Sequence, residues 1–123
     1  MAKVLVAEDE PGIALGLEDT LRLEGYQVEV VTTGTSASRR ALEERFDLIL
    51  LDVMLPDGNG FDALSKLRQE ARFASLPVIM LTAVRDADYI AHGLALGADG
   101  YVTKPYSKNI LIGVIKGVLG DPS

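Results

Sequence analysis

Residues 48–58 read Leu48-Ile49-Leu50-Leu51-Asp52-Val53-Met54-Leu55-Pro56-Asp57-Gly58. Four consecutive aliphatic residues with no polar alternation suit a strand buried on both faces, as in a parallel sheet covered by helices. The apolar run is then broken by a single carboxylate and resumes before Pro56 and Gly58 end it. A carboxylate so placed costs several kcal/mol unless it is paired, so a merely decorative Asp52 is a poor reading.

The same continuous pattern recurs at Val4-Leu5-Val6-Ala7 and at Val78-Ile79-Met80-Leu81. Val28-Glu29-Val30-Val31 alternates and Gly100-Tyr101-Val102-Thr103 is short, which suits edge strands. Between these runs lie segments of helical period. Ile13, Leu17 and Leu21 recur after Pro11, a residue favoured at a first helical position, with Gly25 as the stop. Ala37, Ala41 and Leu42 mark a second helix, and Phe61, Leu64 and Leu67 a third after the turn signal Asp57-Gly58-Asn59-Gly60. Ile90, Ala91 and Leu94 mark a fourth, closed by Gly97. Ile110, Leu111, Val114, Ile115 and Val118 mark a fifth, with Ser107 as its N-cap. Five βα units imply an α/β fold with a doubly wound, five-stranded parallel sheet and helices on both faces. One domain is expected over residues 1–120, with Asp121-Pro122-Ser123 as a frayed end or the start of a linker.

Composition bounds the function. The chain has 123 residues, with 12 Lys+Arg against 18 Asp+Glu, a net charge of −6 that argues against this domain binding nucleic acid or an anionic membrane. With 48% hydrophobic and 24% charged residues, intrinsic disorder is excluded. The absence of cysteine excludes a disulfide framework, thiolate zinc sites and a thiol nucleophile, and fits a reducing cytoplasm. No apolar run approaches the roughly 18 residues of a membrane span, and Met1-Ala2-Lys3 opens directly into a strand, so no leader is expected.

In an open α/β sheet, ligands bind beyond the carboxyl ends of the strands. Here those ends carry Glu8-Asp9, Asp52, Thr82 and Lys104. Each has a bland reading. Glu8-Asp9 could cap the first helix; Thr82 alone could be an ordinary strand end; Lys104 could be a surface lysine, although Pro105 restricts it to extended backbone. Taken together they describe chemistry. Three carboxylates in one crevice repel unless a cation is present, and a hard divalent ion such as Mg²⁺ is held by one or two carboxylates. With Lys104 opposite, the site suits a phosphoryl group, Asp52 acting as nucleophile and Thr82 supplying a hydroxyl. The lone histidine, His92, lies mid-helix and reads as a surface residue, so Ser-His and Cys-His machinery lacks support.

These residues resemble the receiver domain of two-component response regulators, over essentially the whole chain. The motifs are Val4-Leu5-Val6-Ala7-Glu8-Asp9-Glu10, Leu51-Asp52-Val53-Met54-Leu55-Pro56-Asp57-Gly58, Leu81-Thr82-Ala83, Gly97-Ala98-Asp99 and Lys104-Pro105-Tyr106. The resemblance implies a flavodoxin-like fold of strand order 2-1-3-4-5. It makes Asp52 the phosphoacceptor for a sensor histidine kinase or phosphotransfer protein. It implies Asp9 as a direct Mg²⁺ ligand, Glu8 reaching the metal through water, and the Met54 backbone carbonyl as a further ligand. Lys104 would pair with the phosphoryl group through a cis Lys104-Pro105 peptide, and Thr82 with Tyr101 would form the switch pair. Such a protein is a signalling switch that catalyses only its own phosphoryl uptake and hydrolysis. It acts on a downstream target or through an output domain. The alternative is a phosphorylation-independent interaction module.

Two rival families fit less well. A flavodoxin-like cofactor module needs a Ser, Thr and Gly-rich phosphate loop where Glu8-Asp9-Glu10 stands, and a haloacid-dehalogenase-like phosphatase expects a carboxylate where Met54 stands. Two finer expectations follow. The apolar residues of the fifth helix span about 200° of its wheel, wider than the roughly 100° stripe a core-facing helix needs, which suggests surface for a second copy or a deeply buried helix. Met54 and Val84 flank the path of hydrolytic water and cannot orient it, so phosphate loss should be slow.

Overall fold

The computed structural model describes residues 2–84 and 86–120, so the expectation for residues 121–123 lies outside the described residues. Strands β1 (Lys3–Ala7), β2 (Gln27–Val31), β3 (Leu48–Asp52), β4 (Val78–Thr82) and β5 (Gly100–Thr103) form one sheet. Helices α1 (Pro11–Leu23), α2 (Gly34–Glu43), α3 (Gly60–Gln69), α4 (Ala87–Ala95) and α5 (Lys108–Leu119) alternate with them. The strand order is β2-β1-β3-β4-β5 and every pairing is parallel, with β2 and β5 at the edges as the alternating and short runs require. A two-residue antiparallel ladder, Met54–Leu55 against Gly58–Asn59, and a 3₁₀ turn at Ala71–Phe73 were not expected from the sequence.

Because successive strand residues point to opposite faces, the continuous runs divide between two cores. Leu5, Ala7, Ile49, Leu51, Val78 and Met80 pack against the side that holds Ala37, Leu64 and Leu67 of α2 and α3. Val4, Val6, Leu48, Leu50, Ile79, Leu81 and Val102 pack against Leu17 and Leu21 of α1 and Leu111 and Ile115 of α5. Burying each large aliphatic side chain stabilises the fold by roughly 1.5–3 kcal/mol, which fixes the three central strands and hence the positions of their ends.

The start of α1 decides against the bland reading of Glu8-Asp9 as helix caps. Glu10, not Glu8 or Asp9, caps α1: its carboxylate accepts from Gly12 and Ile13 N–H groups at 3.3 and 2.7 Å. Glu8 touches the start of α1 only through Oε2, which accepts from the N–H of the cap residue Glu10 at 3.4 Å. Pro11 takes the first turn of α1 and Ser107 caps α5 by accepting from Ile110 N–H, both as expected.

Helix α4 buries a different face from the one its periodicity suggests, whereas α5 buries nearly all of its wide apolar arc. In α4, Gly93 is the buried residue, while Ala91 and Leu94 are exposed. The rings of Phe61 and Tyr101 need the space beside Gly93, where a Cβ would sit 2.7 Å from Phe61 Cε1 and 3.1 Å from Tyr101 Cε2. Aromatic neighbours thus choose the face that aliphatic spacing did not reveal. In α5 the wide arc is mostly covered: Leu111, Ile112 and Ile115 are buried and Val114, Val118 and Leu119 half-buried, so Ile110 alone of the arc stays open. The surface left for a second copy on α5 is much smaller than the wheel suggested. Among the described residues, no helix is long and apolar enough to cross a membrane.

Candidate functional site

Glu8, Asp52 and Thr82 are the buried polar residues among those described, exposed by only 1%, 4% and 2%. Parallel register brings them together: Ala7 pairs with Leu51, Asp52 with Leu81 and Thr82 with Thr103, so four strand ends meet at one edge of the sheet. Glu8 N–H donates to the Val31 carbonyl at 3.0 Å, which continues the ladder one residue and points the Glu8 side chain into the crevice.

Lys104 bridges the acids. Its Nζ donates to Glu8 Oε1 at 2.6 Å and to Asp52 Oδ2 at 2.5 Å, and the other Asp52 oxygen accepts from Met54 N–H at 2.9 Å. Pro105 follows through a cis peptide. Burial pushes the Glu8 carboxyl up to about 7; the neighbouring Asp52 pushes the same way and Lys104 opposes it. For Lys104, burial works against the charge, but Asp52 and Glu8 overcome it and hold the ammonium above its ordinary value. Tyr106, half-buried beside these acids, is pushed up to about 12 by burial and then by Glu8 and Asp52. Three carboxylates, Glu8, Asp9 and Asp52, thus gather around the one ammonium of Lys104, a surplus of negative charge.

That surplus is the test of whether a metal fits. Glu8, Asp9 and Asp52 each offer a carboxylate oxygen, all within 4.8 Å of one another, with Asp9 exposed at the mouth. Hard oxygen donors at this spacing, in a crevice where burial first and Asp52 second raise the Glu8 pKa, suit a hard divalent cation.

The loop after β3 is built to return to the site. Gly60 N–H donates to the Val53 carbonyl at 2.6 Å, and a Cβ at Gly60 would lie 2.2 Å from the Asp52 carbonyl oxygen. The close approach of two backbones explains why glycine stands there. Asp57, read as part of a turn and of the motif after β3, has a structural partner: it reaches α2 and accepts three hydrogen bonds from Gly34 and Thr35. A partner twenty-two or twenty-three residues away leaves no local signal in the sequence.

Thr82 Oγ1 accepts from Val84 N–H at 3.1 Å. Tyr101 turns inward beside Gly93, and its hydroxyl is buried on the side of Thr82. Burial raises the Tyr101 pKa, the nearby Tyr89 adds to this, and the Thr82 side chain draws it partly back. Met54 and Val84 are 69% and 37% exposed. His92 is exposed, as expected, although its ring meets Phe61 edge-on at 5.4 Å.

A family model described as the response regulator receiver domain matches residues 4–116. The chain belongs to the receiver-domain family. Among sequence relatives, the sensory transduction protein RegX3 of Mycobacterium tuberculosis is 46% identical over 120 residues, covering 97% of this chain and 51% of that protein. The phosphate regulon transcriptional regulatory protein PhoB of Rhizobium meliloti is 39% identical over 119 residues, covering 97% and 52%. This receiver domain thus spans about half the length of those relatives. Among solved structures, chemotaxis protein CheY4 of Vibrio cholerae superposes with a TM-score of 0.91 at 34% identity, covering 97% of this chain and 99% of that one. The receiver domain of sensor histidine kinase PA1611 from Pseudomonas aeruginosa, which holds a magnesium ion in its active-site cleft, gives 0.89 at 31% identity, covering 97% and 98%. Receiver domains are the signalling switches of two-component systems and not ordinary enzymes.

Proposed function

We propose that this receiver domain is switched by phosphorylation of Asp52, the phosphoryl group coming from a histidine of a sensor kinase or phosphotransfer protein. The observation that carries the reading is the bridge from Lys104 to Glu8 and Asp52: two buried carboxylates joined to one ammonium at the crevice floor, with Asp9 at its mouth. An Asp52 oxygen attacks phosphorus, the O–P bond forms as the P–N bond breaks, and the electron pair stays on the imidazole nitrogen. Lys104 then exchanges its contact with Asp52 Oδ2 for the incoming phosphoryl oxygens, and the Thr82 hydroxyl donates to another. The residues that would hold Mg²⁺ are Asp9, Asp52 and the Met54 carbonyl, with Glu8 acting through water, and the ion would supply charge neutralisation.

Thr82, drawn toward the phosphoryl group, gives up its bond from Val84 N–H, and Tyr101 beside it carries the change to the α4–β5–α5 face. Residues 1–120 act as this switch in the cytoplasm, upstream of a separate target or of an output domain. Met54 and Val84 leave hydrolytic water without a hydrogen-bonding guide, so the phosphorylated state is long-lived. The net charge of −6 argues that DNA contact, where it occurs, belongs to another domain. The test is incubation with Mg²⁺ and acetyl phosphate: one base-labile phosphoryl group is expected on the wild-type chain and none on Asp52→Asn. No incorporation, with Mg²⁺ also failing to bind, favours the phosphorylation-independent module instead.

A further inference from the structure

The loop from Asp52 to Gly60 doubles back on itself. Met54 and Leu55 pair with Asn59 and Gly58, which leaves residues 56 and 57 at the tip. Its base is fixed by the Gly60 to Val53 bond and by Asn59, whose Oδ1 accepts from Phe61 N–H at 2.8 Å, and Val53 and Leu55 anchor it in the core. Leu55 is buried, whereas Met54, Pro56, Asp57, Gly58 and Asn59 are exposed. The tip itself is tied to α2 by polar contacts. Asp57 Oδ1 accepts from Gly34 N–H at 2.9 Å, and Oδ2 accepts from Thr35 N–H at 2.9 Å and from the Thr35 hydroxyl at 2.6 Å.

The tie joins a helix packed on the sheet to a loop of mostly exposed residues. Helix α2 is seated on the sheet through Ala37 and Ala41 and has its own cap, Thr33, accepting from Ser36 N–H at 2.9 Å. It therefore gains less from Asp57 than the loop does. Resting on the reading of Glu8, Asp9, Asp52 and the Met54 carbonyl as a metal site, we propose that Asp57 is a positioning residue: it clamps the loop tip to α2 and thereby holds the Met54 carbonyl in place as a ligand. The three donors also keep the clamp charged. The Thr35 hydroxyl first, then the Thr35 and Gly34 amides, hold the Asp57 carboxyl down at about 2.

Calorimetric titration with MgCl₂ separates clamp from cap. Asp57→Ala should weaken Mg²⁺ binding about tenfold, the usual scale for losing a group that supports a metal ligand. Thr35→Val, which removes one of the three bonds, should fall between it and wild type. Thr33→Ala removes a comparable cap from α2 without touching the loop and should leave the affinity within about twofold. Amide exchange should rise at residues 53–59 in Asp57→Ala and at the start of α2 in Thr33→Ala. If Asp57→Ala binds Mg²⁺ as wild type does, Asp57 is only a cap and the inference is wrong. If Thr33→Ala weakens binding as much as Asp57→Ala, the effect runs through α2 and the inference is again wrong. If the wild-type chain itself fails to bind Mg²⁺, the metal-site reading falls, and the clamp with it.

Discussion

Replacing Lys104 with methionine takes away the cation that pairs with Glu8 and Asp52, which are 1% and 4% exposed. Removing one partner of a buried pair typically costs about 3–5 kcal/mol. Asp9 at the exposed mouth shows that water reaches one side of this crevice, so the lower figure applies, about 3 kcal/mol at neutral to basic pH. In a domain of this size that lowers Tm by roughly 10 °C. The loss should depend on pH, with a definite sign. Burial and Asp52 raise the Glu8 pKa from 4.5 to about 7 in the folded chain. Between those values the folded state holds a proton that the unfolded state lacks, so stability declines as pH rises through that window and levels off above it. Lys104 is the group that draws the Glu8 pKa down, so its removal extends the window upward. The deficit of Lys104→Met is therefore largest near pH 8 and shrinks toward about pH 5 as Glu8 takes up its proton. Thermal unfolding followed by circular dichroism across this range, in EDTA, measures it. Mg²⁺ at ten times its Kd should then return about 1.4 kcal/mol to either protein. A variant as stable as wild type near pH 8 in EDTA would refute the claim that the two carboxylates are buried and depend on Lys104.

Asp52→Asn should abolish phosphoryl uptake and, by removing one of two adjacent buried charges, raise apo stability near pH 8 and lower the Glu8 pKa from about 7 toward 4.5; a ¹³C titration of the Glu8 carboxyl checks the second part. Met54→Asn gives the hydrolytic water a hydrogen-bonding guide and should shorten the lifetime of the phosphorylated state several-fold, measured by loss of label after acetyl phosphate is removed; an unchanged lifetime counts against the water-path argument. Gly60→Ala sets a methyl 2.2 Å from a backbone oxygen that no side-chain rotation can relieve, so a loss of about 3 kcal/mol and weaker Mg²⁺ binding are expected from urea unfolding and calorimetry.

Much of this fold is written in short-range pattern. The uninterrupted runs around Leu5, Leu50 and Ile79 declare strands covered on both faces, and the weaker runs at Val28 and Val102 fall at the edges. Asp52 stands out because the apolar residues on either side make its charge expensive. What the sequence hides is set by partners far along the chain. Glu10 and not Glu8 caps α1 because only its side chain curls back onto Gly12 and Ile13. Leu94 faces out because Phe61, thirty-three positions earlier, fills the space beside Gly93. Asp57 reads as a turn residue until α2 is seen beside it. Arg68 carries no functional motif, yet it ties the carbonyls of Phe73, Leu76 and Gly97 together and pairs with Asp99. The side chains at the strand ends were readable because topology gathers them at one edge whatever the helices do. Their pairing through Lys104 depends on the loop geometry after β5, which no spacing rule specifies.

The central claim is that Asp52 accepts the phosphoryl group. Its most direct test is to treat the wild-type chain with Mg²⁺ and acetyl phosphate, reduce it with borohydride, which converts an aspartyl phosphate to homoserine, and map the product by peptide mass spectrometry. Homoserine at position 52 and at no other aspartate is the predicted result. A chain that binds Mg²⁺ yet keeps Asp52 intact, or that carries the modification at another carboxylate such as Asp9, contradicts it.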